Sequence, residues 1–229
     1  MTTPFLQPQA VLFDLDGTLV DTAPDFVRVL NAIRTRYQRP ALPYETIRAV
    51  VSAGARAMVQ TGFPEYPLDS PEFLKIRQEF LDLYSQELAI ESRLFDGMEP
   101  LLQALESRKV PWGIVTNKSR IYSEPLLAGL ALDRRCAVLV CPDDVTRTKP
   151  DPEPMFLACR QLGVDPVHTI YIGDHVRDIE AGRNAGMPTV AAAWGYINTG
   201  ESVDDWAADY RADRVEDLGR LLLDHPLYY

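Results

Sequence analysis

The chain has 229 residues, 46% of them apolar, so it can bury a sizeable core. A formal net charge of −10 argues against nucleic acid or an anionic membrane as partner. The same charge gives no long-range attraction for an anionic substrate. Any phosphate must therefore be held by local positive groups: a metal, a lysine or helix N-termini.

Residues 1–9 have no basic region and no long apolar run, so no signal peptide is expected there. No stretch of about 18 apolar residues follows, so no membrane span is expected. The first predicted element is a buried strand at 11–13, within Ala10-Val11-Leu12-Phe13-Asp14-Leu15-Asp16-Gly17-Thr18. It ends in two carboxylates two positions apart, and a glycine then turns the chain. Ligands sit at the carboxyl ends of strands in open α/β sheets. Paired acids there are costly unless a cation or a reaction uses them. A calcium loop fits less well: Leu19 stands where that loop wants Gly, and Asp25 where it wants Glu.

From 22 to 91 the spacing is helical throughout, as in Phe26-Val27-Leu30-Ile33-Tyr37 and Phe73-Ile76-Phe80-Leu83-Tyr84. Pro40, Pro43, Pro64 and Pro67 fall in the connections. This predicts a helical cap over the strand ends, inserted into an α/β unit made of residues 1–21 and 92–229. Further strands are predicted at 112–115, 138–141, 169–172 and 189–192, most followed by helical pattern. Gly163 and Gly186 read as helix ends. The tail, 208–224, reads as a short edge element and a helix over 216–223. Such alternation implies an α/β fold, a doubly wound parallel sheet with helices on both faces.

Four strand ends carry the candidate chemistry. Asp14 closes the first strand and is placed as a nucleophile, with Asp16 beyond the bend as general acid and base. Thr116 and Asn117 follow the second predicted strand as short donors for phosphate oxygens. Lys149, in Lys149-Pro150-Asp151-Pro152, can neutralise charge developing on Asp14 and phosphate, with Lys118 as its competitor. Asp174 follows another strand and can reach a cation shared with Asp14. A hard, small cation with few carboxylate ligands describes Mg²⁺. Asp178, one helical turn on, is a second ligand or an orienter of the first. His175 reads as a surface or packing residue. Cys136, Cys141 and Cys159 lack metal or redox spacing, and an odd number suggests reduced thiols in a cytoplasmic protein.

Asp-x-Asp, Thr, Lys and Asp on successive strand ends resemble the haloacid dehalogenase superfamily of phosphohydrolases, over the whole core. The helical insertion is similar to that superfamily's lid. The resemblance implies a Rossmann-like fold with a helical cap and Mg²⁺-dependent phosphomonoester hydrolysis through an aspartyl phosphate. It also implies that Asp14, the backbone carbonyl of Asp16, and Asp174 hold the metal, while Thr116, Asn117 and Lys149 hold the phosphoryl oxygens. Asp16 argues for a phosphatase or phosphomutase rather than a dehalogenase. A signalling receiver shares these residue types, but in another order. Ser52-Ala-Gly54-Ala-Arg56-Ala-Met58-Val59, Leu94-Phe-Asp-Gly-Met98, Cys141-Pro-Asp143 and Gly195-Tyr-Ile197 are similar to the phosphoglycolate phosphatase branch, and within it most similar to N-acetylmuramic acid 6-phosphate phosphatases of cell-wall recycling. The implied substrate is a small phosphorylated sugar or acid. Both of those substrates carry a carboxylate, and Arg56, in a small-residue turn of the cap, is the residue expected to bind it. His175 departs from the acidic residue that family usually has after Asp174.

Overall fold

A computed structural model describes residues 8–198 and 200–223. The expectation for residues 1–7, and the last residue of the predicted tail, fall outside them. In chain order come β1 (Ala10–Phe13), β2 (Val20–Asp21), α1 (Ala23–Arg36), α2 (Tyr44–Arg48), α3 (Gly54–Gly62) and α4 (Pro71–Gln86). There follow β3 (Arg93–Leu94), α5 (Met98–Ser107), β4 (Trp112–Val115), α6 (Arg120–Gly129), β5 (Leu139–Val140) and α7 (Glu153–Leu162). The chain closes with β6 (Thr169–Gly173), α8 (Val176–Asn184), β7 (Thr189–Ala192), β8 (Tyr210–Ala212) and α9 (Val215–Leu222).

The main sheet has six strands in the order β5-β4-β1-β6-β7-β8, and all five pairings are parallel. Parallel strands covered on both faces read as near-continuous apolar runs, which is why Ala10–Phe13 is buried throughout. Successive side chains point to opposite faces. Val11 and Phe13 therefore join one cluster, with Leu101, Leu105, Leu126 and Leu218 from α5, α6 and α9. Leu12 joins the other, with Met155 and Ala158 of α7 and Ala181 of α8. Burying each such side chain contributes about 1.5–3 kcal/mol.

A separate apolar cluster lies among α1 to α4. Phe26, Leu30, Ile33, Phe73, Ile76, Phe80 and Tyr84 pack there with Met58 and Val59. Pro40 and Pro43 lie between α1 and α2, and Pro64 and Pro67 between α3 and α4. Entry to and exit from this helical segment lie side by side. β2 pairs antiparallel with β3, Val20 opposite Leu94 and Asp21 opposite Arg93. Both strands are two residues long, too short for a periodic signal, and the sequence reading missed them. Asp25 fastens the same joint, accepting from Glu91 N at 3.0 Å, Ser92 N at 3.0 Å and Ser92 Oγ at 2.6 Å.

Candidate active site

β1 lies at the middle of the sheet, and Asp14 continues its ladder by donating its backbone N–H to Ile172 O at 2.8 Å. The ends of β1, β4 and β6 therefore open at one place. Gly17, with φ +87°, turns the chain directly over Asp174. A Cβ at Gly17 or at Gly195 would collide with the Asp174 carboxylate, and one at Gly173 with Asp178. These glycines leave the room the acids occupy.

Lys149 is the centre of the charge arrangement, with a side chain only 1% exposed. Its Nζ lies 2.8 Å from Asp14 Oδ1 and 2.7 Å from Asp178 Oδ1. It also donates to Val115 O at 2.9 Å and to Tyr171 Oη at 2.9 Å. The Tyr171 hydroxyl donates onward to Val115 O at 2.8 Å. Burial alone would lower the Lys149 pKa, but the two carboxylates outweigh it and raise it. Asn117 donates from Nδ2 to Lys149 O at 3.0 Å, fixing the lysine's backbone to the end of β4.

Asp174 is equally buried. Its carboxylate accepts from Thr18 Oγ1 at 2.8 Å and from Tyr196 N at 2.8 Å. Burial, then the neighbouring Asp14 and Asp178 charges, raise its pKa well above the carboxylate range, and burial likewise raises that of Asp178. The carboxylates of Asp14, Asp174 and Asp178 each offer an oxygen within 4.8 Å of the others. Asp14, partly exposed, and the buried Asp174 and Asp178 face one ammonium; ionised together they would carry two charges more than it balances, a poor arrangement without a cation. Asp14 Oδ1 is buried and touches Lys149, yet it receives no well-directed hydrogen bond among the described residues. An oxygen-lined, doubly charge-deficient cluster suits a small divalent cation. Asp178 contributes an oxygen to this group while pairing with Lys149. It also accepts from His175 N at 3.1 Å, closing the first turn of α8.

The Asp16 carboxylate has partners of its own. Thr22 Oγ1 donates to it at 2.6 Å and Lys118 Nζ at 2.9 Å. Lys118 also donates to Tyr84 Oη at 2.7 Å and lies 4.7 Å from the ring centres of Phe26 and Tyr84. The two lysines thus divide the two acids: Lys149 takes Asp14, and Lys118 takes Asp16. Thr116 Oγ1 accepts from Lys118 N at 3.1 Å and closes a local turn, and Ser119 precedes α6 at its N-cap.

Above these groups lies a cavity of about 380 Å³, lined by Asp14, Asp16, Thr116, Asn117, Lys118 and Lys149. Phe26, Val51, Met58, Leu81, Tyr84 and Tyr122 add an apolar wall, and Arg77 and Arg177 reach it from α4 and α8. Arg56 is not brought to this cavity. It is 53% exposed and pairs with Asp69 at 2.8 Å, so the small-residue turn presents backbone to the cavity instead of that guanidinium. His175 lines it too, but its Nδ1 accepts from Arg177 N at 3.2 Å and caps α8. Burial pushes its pKa down to about 4, which leaves it neutral near pH 7. Cys141 is buried with its thiol pushed up to about 11, unsuited to attack. Tyr171 and Thr18 escaped the sequence reading because their partners, Lys149 and Val115 for the one and Asp174 for the other, are distant in the chain. Thr18's place in the turn after Asp16 was the one available cue.

The chain belongs to the haloacid dehalogenase-like hydrolases, whose family model matches residues 11–192. It is 50% identical over 210 residues to an N-acetylmuramic acid 6-phosphate phosphatase of Pseudomonas aeruginosa, covering 92% of each chain. It is 41% identical over 211 residues to a phosphoglycolate phosphatase of Xanthomonas campestris, covering 92% of this chain and 95% of that one. A crystal structure of a predicted phosphoglycolate phosphatase from Haemophilus somnus superposes with a TM-score of 0.82 at 26% identity, covering 93% and 97% of the two chains.

Proposed function

We propose that this hydrolase is a phosphomonoesterase that removes phosphate from N-acetylmuramic acid 6-phosphate in peptidoglycan recycling. Asp14 attacks phosphorus, the bond to the sugar oxygen breaks, and an aspartyl phosphate forms. Asp16 gives a proton to the departing oxygen. It then takes one from the water that attacks phosphorus and releases Asp14. Lys149 balances charge on Asp14 and the phosphoryl oxygens. Thr116 and Asn117 close the phosphate's side of the cavity. Asp14, Asp174 and the backbone carbonyl of Asp16 would hold Mg²⁺, with Asp178 beside them. When bound, that ion would offset phosphate charge and orient the phosphoryl group. The segment 22–91 is proposed to act as a cap that keeps bulk water away from the aspartyl phosphate. A cytoplasmic setting is in keeping with three unpaired thiols. Among the described residues no helix is long and apolar enough to cross a membrane.

Cavity size carries the choice of substrate. About 380 Å³ lies within the ~300–1,000 Å³ that encloses drug-sized ligands, so a two-carbon acid would leave much of it empty. A hexose with acetamido and lactyl groups is nearer that size, and Met58 and Leu81 in the lining offer apolar contacts for its methyl groups. Phosphate release should be measured from N-acetylmuramic acid 6-phosphate, phosphoglycolate and hexose phosphates. The first should show the highest kcat/KM; a higher value for phosphoglycolate would reverse the assignment. Phosphate moved to another hydroxyl, not released, would indicate a mutase.

A further inference from the structure

Besides Lys149, three cationic side chains line the cavity: Lys118, Arg77 and Arg177. Two of them are committed to other groups. Lys118 serves Asp16 and the Tyr84 hydroxyl. Arg177 donates from Nη2 to Ser52 O at 2.6 Å, joining α8 to the turn before α3. Arg77 has no ion pair or side-chain hydrogen bond among the described residues. It stands on α4 next to the buried Ile76 and is itself half-buried. Burial and the Asp82 carboxylate raise the pKa of Tyr122, another residue of the cavity wall, and the Arg77 charge opposes them.

The lining contains only two acids, Asp14 and Asp16, and both already face lysines. An unmatched guanidinium in a half-closed cavity calls for an anion supplied by the ligand. The phosphate is provided for at the sheet end, beside Lys149. The same lining includes the apolar side chains Phe26, Val51, Met58 and Leu81. The complementary ligand is therefore a phosphomonoester with a second, planar anion and an apolar part.

We propose that Arg77 determines specificity, pairing bidentately with the substrate's carboxylate while the strand ends hold its phosphate. This rests on the phosphomonoesterase reading above and moves to Arg77 the role that the sequence suggested for Arg56. The test compares N-acetylmuramic acid 6-phosphate with N-acetylglucosamine 6-phosphate, the same amino-sugar phosphate without the lactyl acid. Wild-type protein should prefer the former. Arg77→Ala should lower kcat/KM for it by about 10- to 150-fold, the range of a hydrogen bond to a charged group. The change for N-acetylglucosamine 6-phosphate and p-nitrophenyl phosphate should stay within about twofold, and Arg77→Lys should restore part of the loss, since it keeps the charge without the fork. An equal fall for all substrates, as a structural defect would give, overturns the assignment. So does a preference that survives Arg77→Ala while wild type still discriminates. A wild-type enzyme indifferent to the lactyl group would instead overturn the substrate reading, and the role of Arg77 with it.

Discussion

Asp14 and Asp16 are chemically identical, and what separates them is the lysine each one faces. Lys149 is fixed by two carboxylates, a carbonyl and a phenol, so its ammonium has little freedom. Lys118 instead depends on Tyr84 and Phe26 of the helical segment. The proposed roles predict unequal mutational effects. Asp16→Ala should slow turnover ~10²–10⁴-fold, the usual yield of a positioned acid or base. Formation of the aspartyl phosphate should suffer less with p-nitrophenyl phosphate, whose leaving group needs no proton. Rapid-quench measurement of that step with both substrates decides it, an equal loss removing Asp16 as leaving-group acid. The acids were legible in the sequence because a strand, a glycine turn and paired carboxylates are local signals. Arg77 was not, since on a helical pattern it looks like any residue of a solvated face. Only its place in the cavity lining gives it a role.

The elements that carry the site follow the sequence closely. Strands at 112–115 and 189–192 occur as expected, and the predicted 169–172 extends to Gly173. The tail helix begins one residue earlier than expected, at Val215. The strand at 138–141 shrinks to Leu139–Val140 because it pairs only with β4 at the sheet edge. At the joint of α1 with β3, Asp25 combines three accepted hydrogen bonds with an ion pair to Arg28 at 2.8 Å. Burial would raise its pKa, but Arg28 and the Ser92 and Glu91 donors outweigh this and lower it below 3.8. A carboxyl with a depressed folded-state pKa contributes stability above its unfolded value and loses it as pH falls through the folded one. Asp25→Asn should therefore destabilise the protein by about 1.5–3 kcal/mol at pH 7. The gap to wild type should narrow on acidification below pH ~4. Chemical unfolding of both proteins from pH 7 to pH 3 tests this; a gap independent of pH would show that the charge is irrelevant.

For the whole molecule, the decisive quantity is the unbalanced charge buried at the sheet's centre. If Mg²⁺ completes it, binding should stabilise the fold as well as support catalysis. At a hundredfold excess over Kd the gain is about 2.7 kcal/mol, or roughly 5–10 °C in Tm for a chain of this length. Chelation by EDTA should reverse the shift and abolish turnover, Mg²⁺ should restore both, and Ca²⁺ should inhibit because its looser coordination spoils in-line geometry. Asp174→Asn should lose the Mg²⁺-dependent shift in Tm. Full activity in metal-free protein would remove the ion from the mechanism.

The pairing of Asp21 with Arg93 has a further consequence. Two chain ends held in antiparallel register are what a tight hairpin needs, and Asn-Gly is the loop that best joins them. Replacing residues 22–92 by Asn-Gly should therefore leave a miniature protein with the parallel sheet and its acids. Two-dimensional NMR should show dispersed amide signals and slow exchange in β1 and β6. A collapsed spectrum would mean that the helices are indispensable scaffolding. If the miniature folds, helical segments from other sources could be spliced between the same two residues, and substrate preference would become a transplantable module.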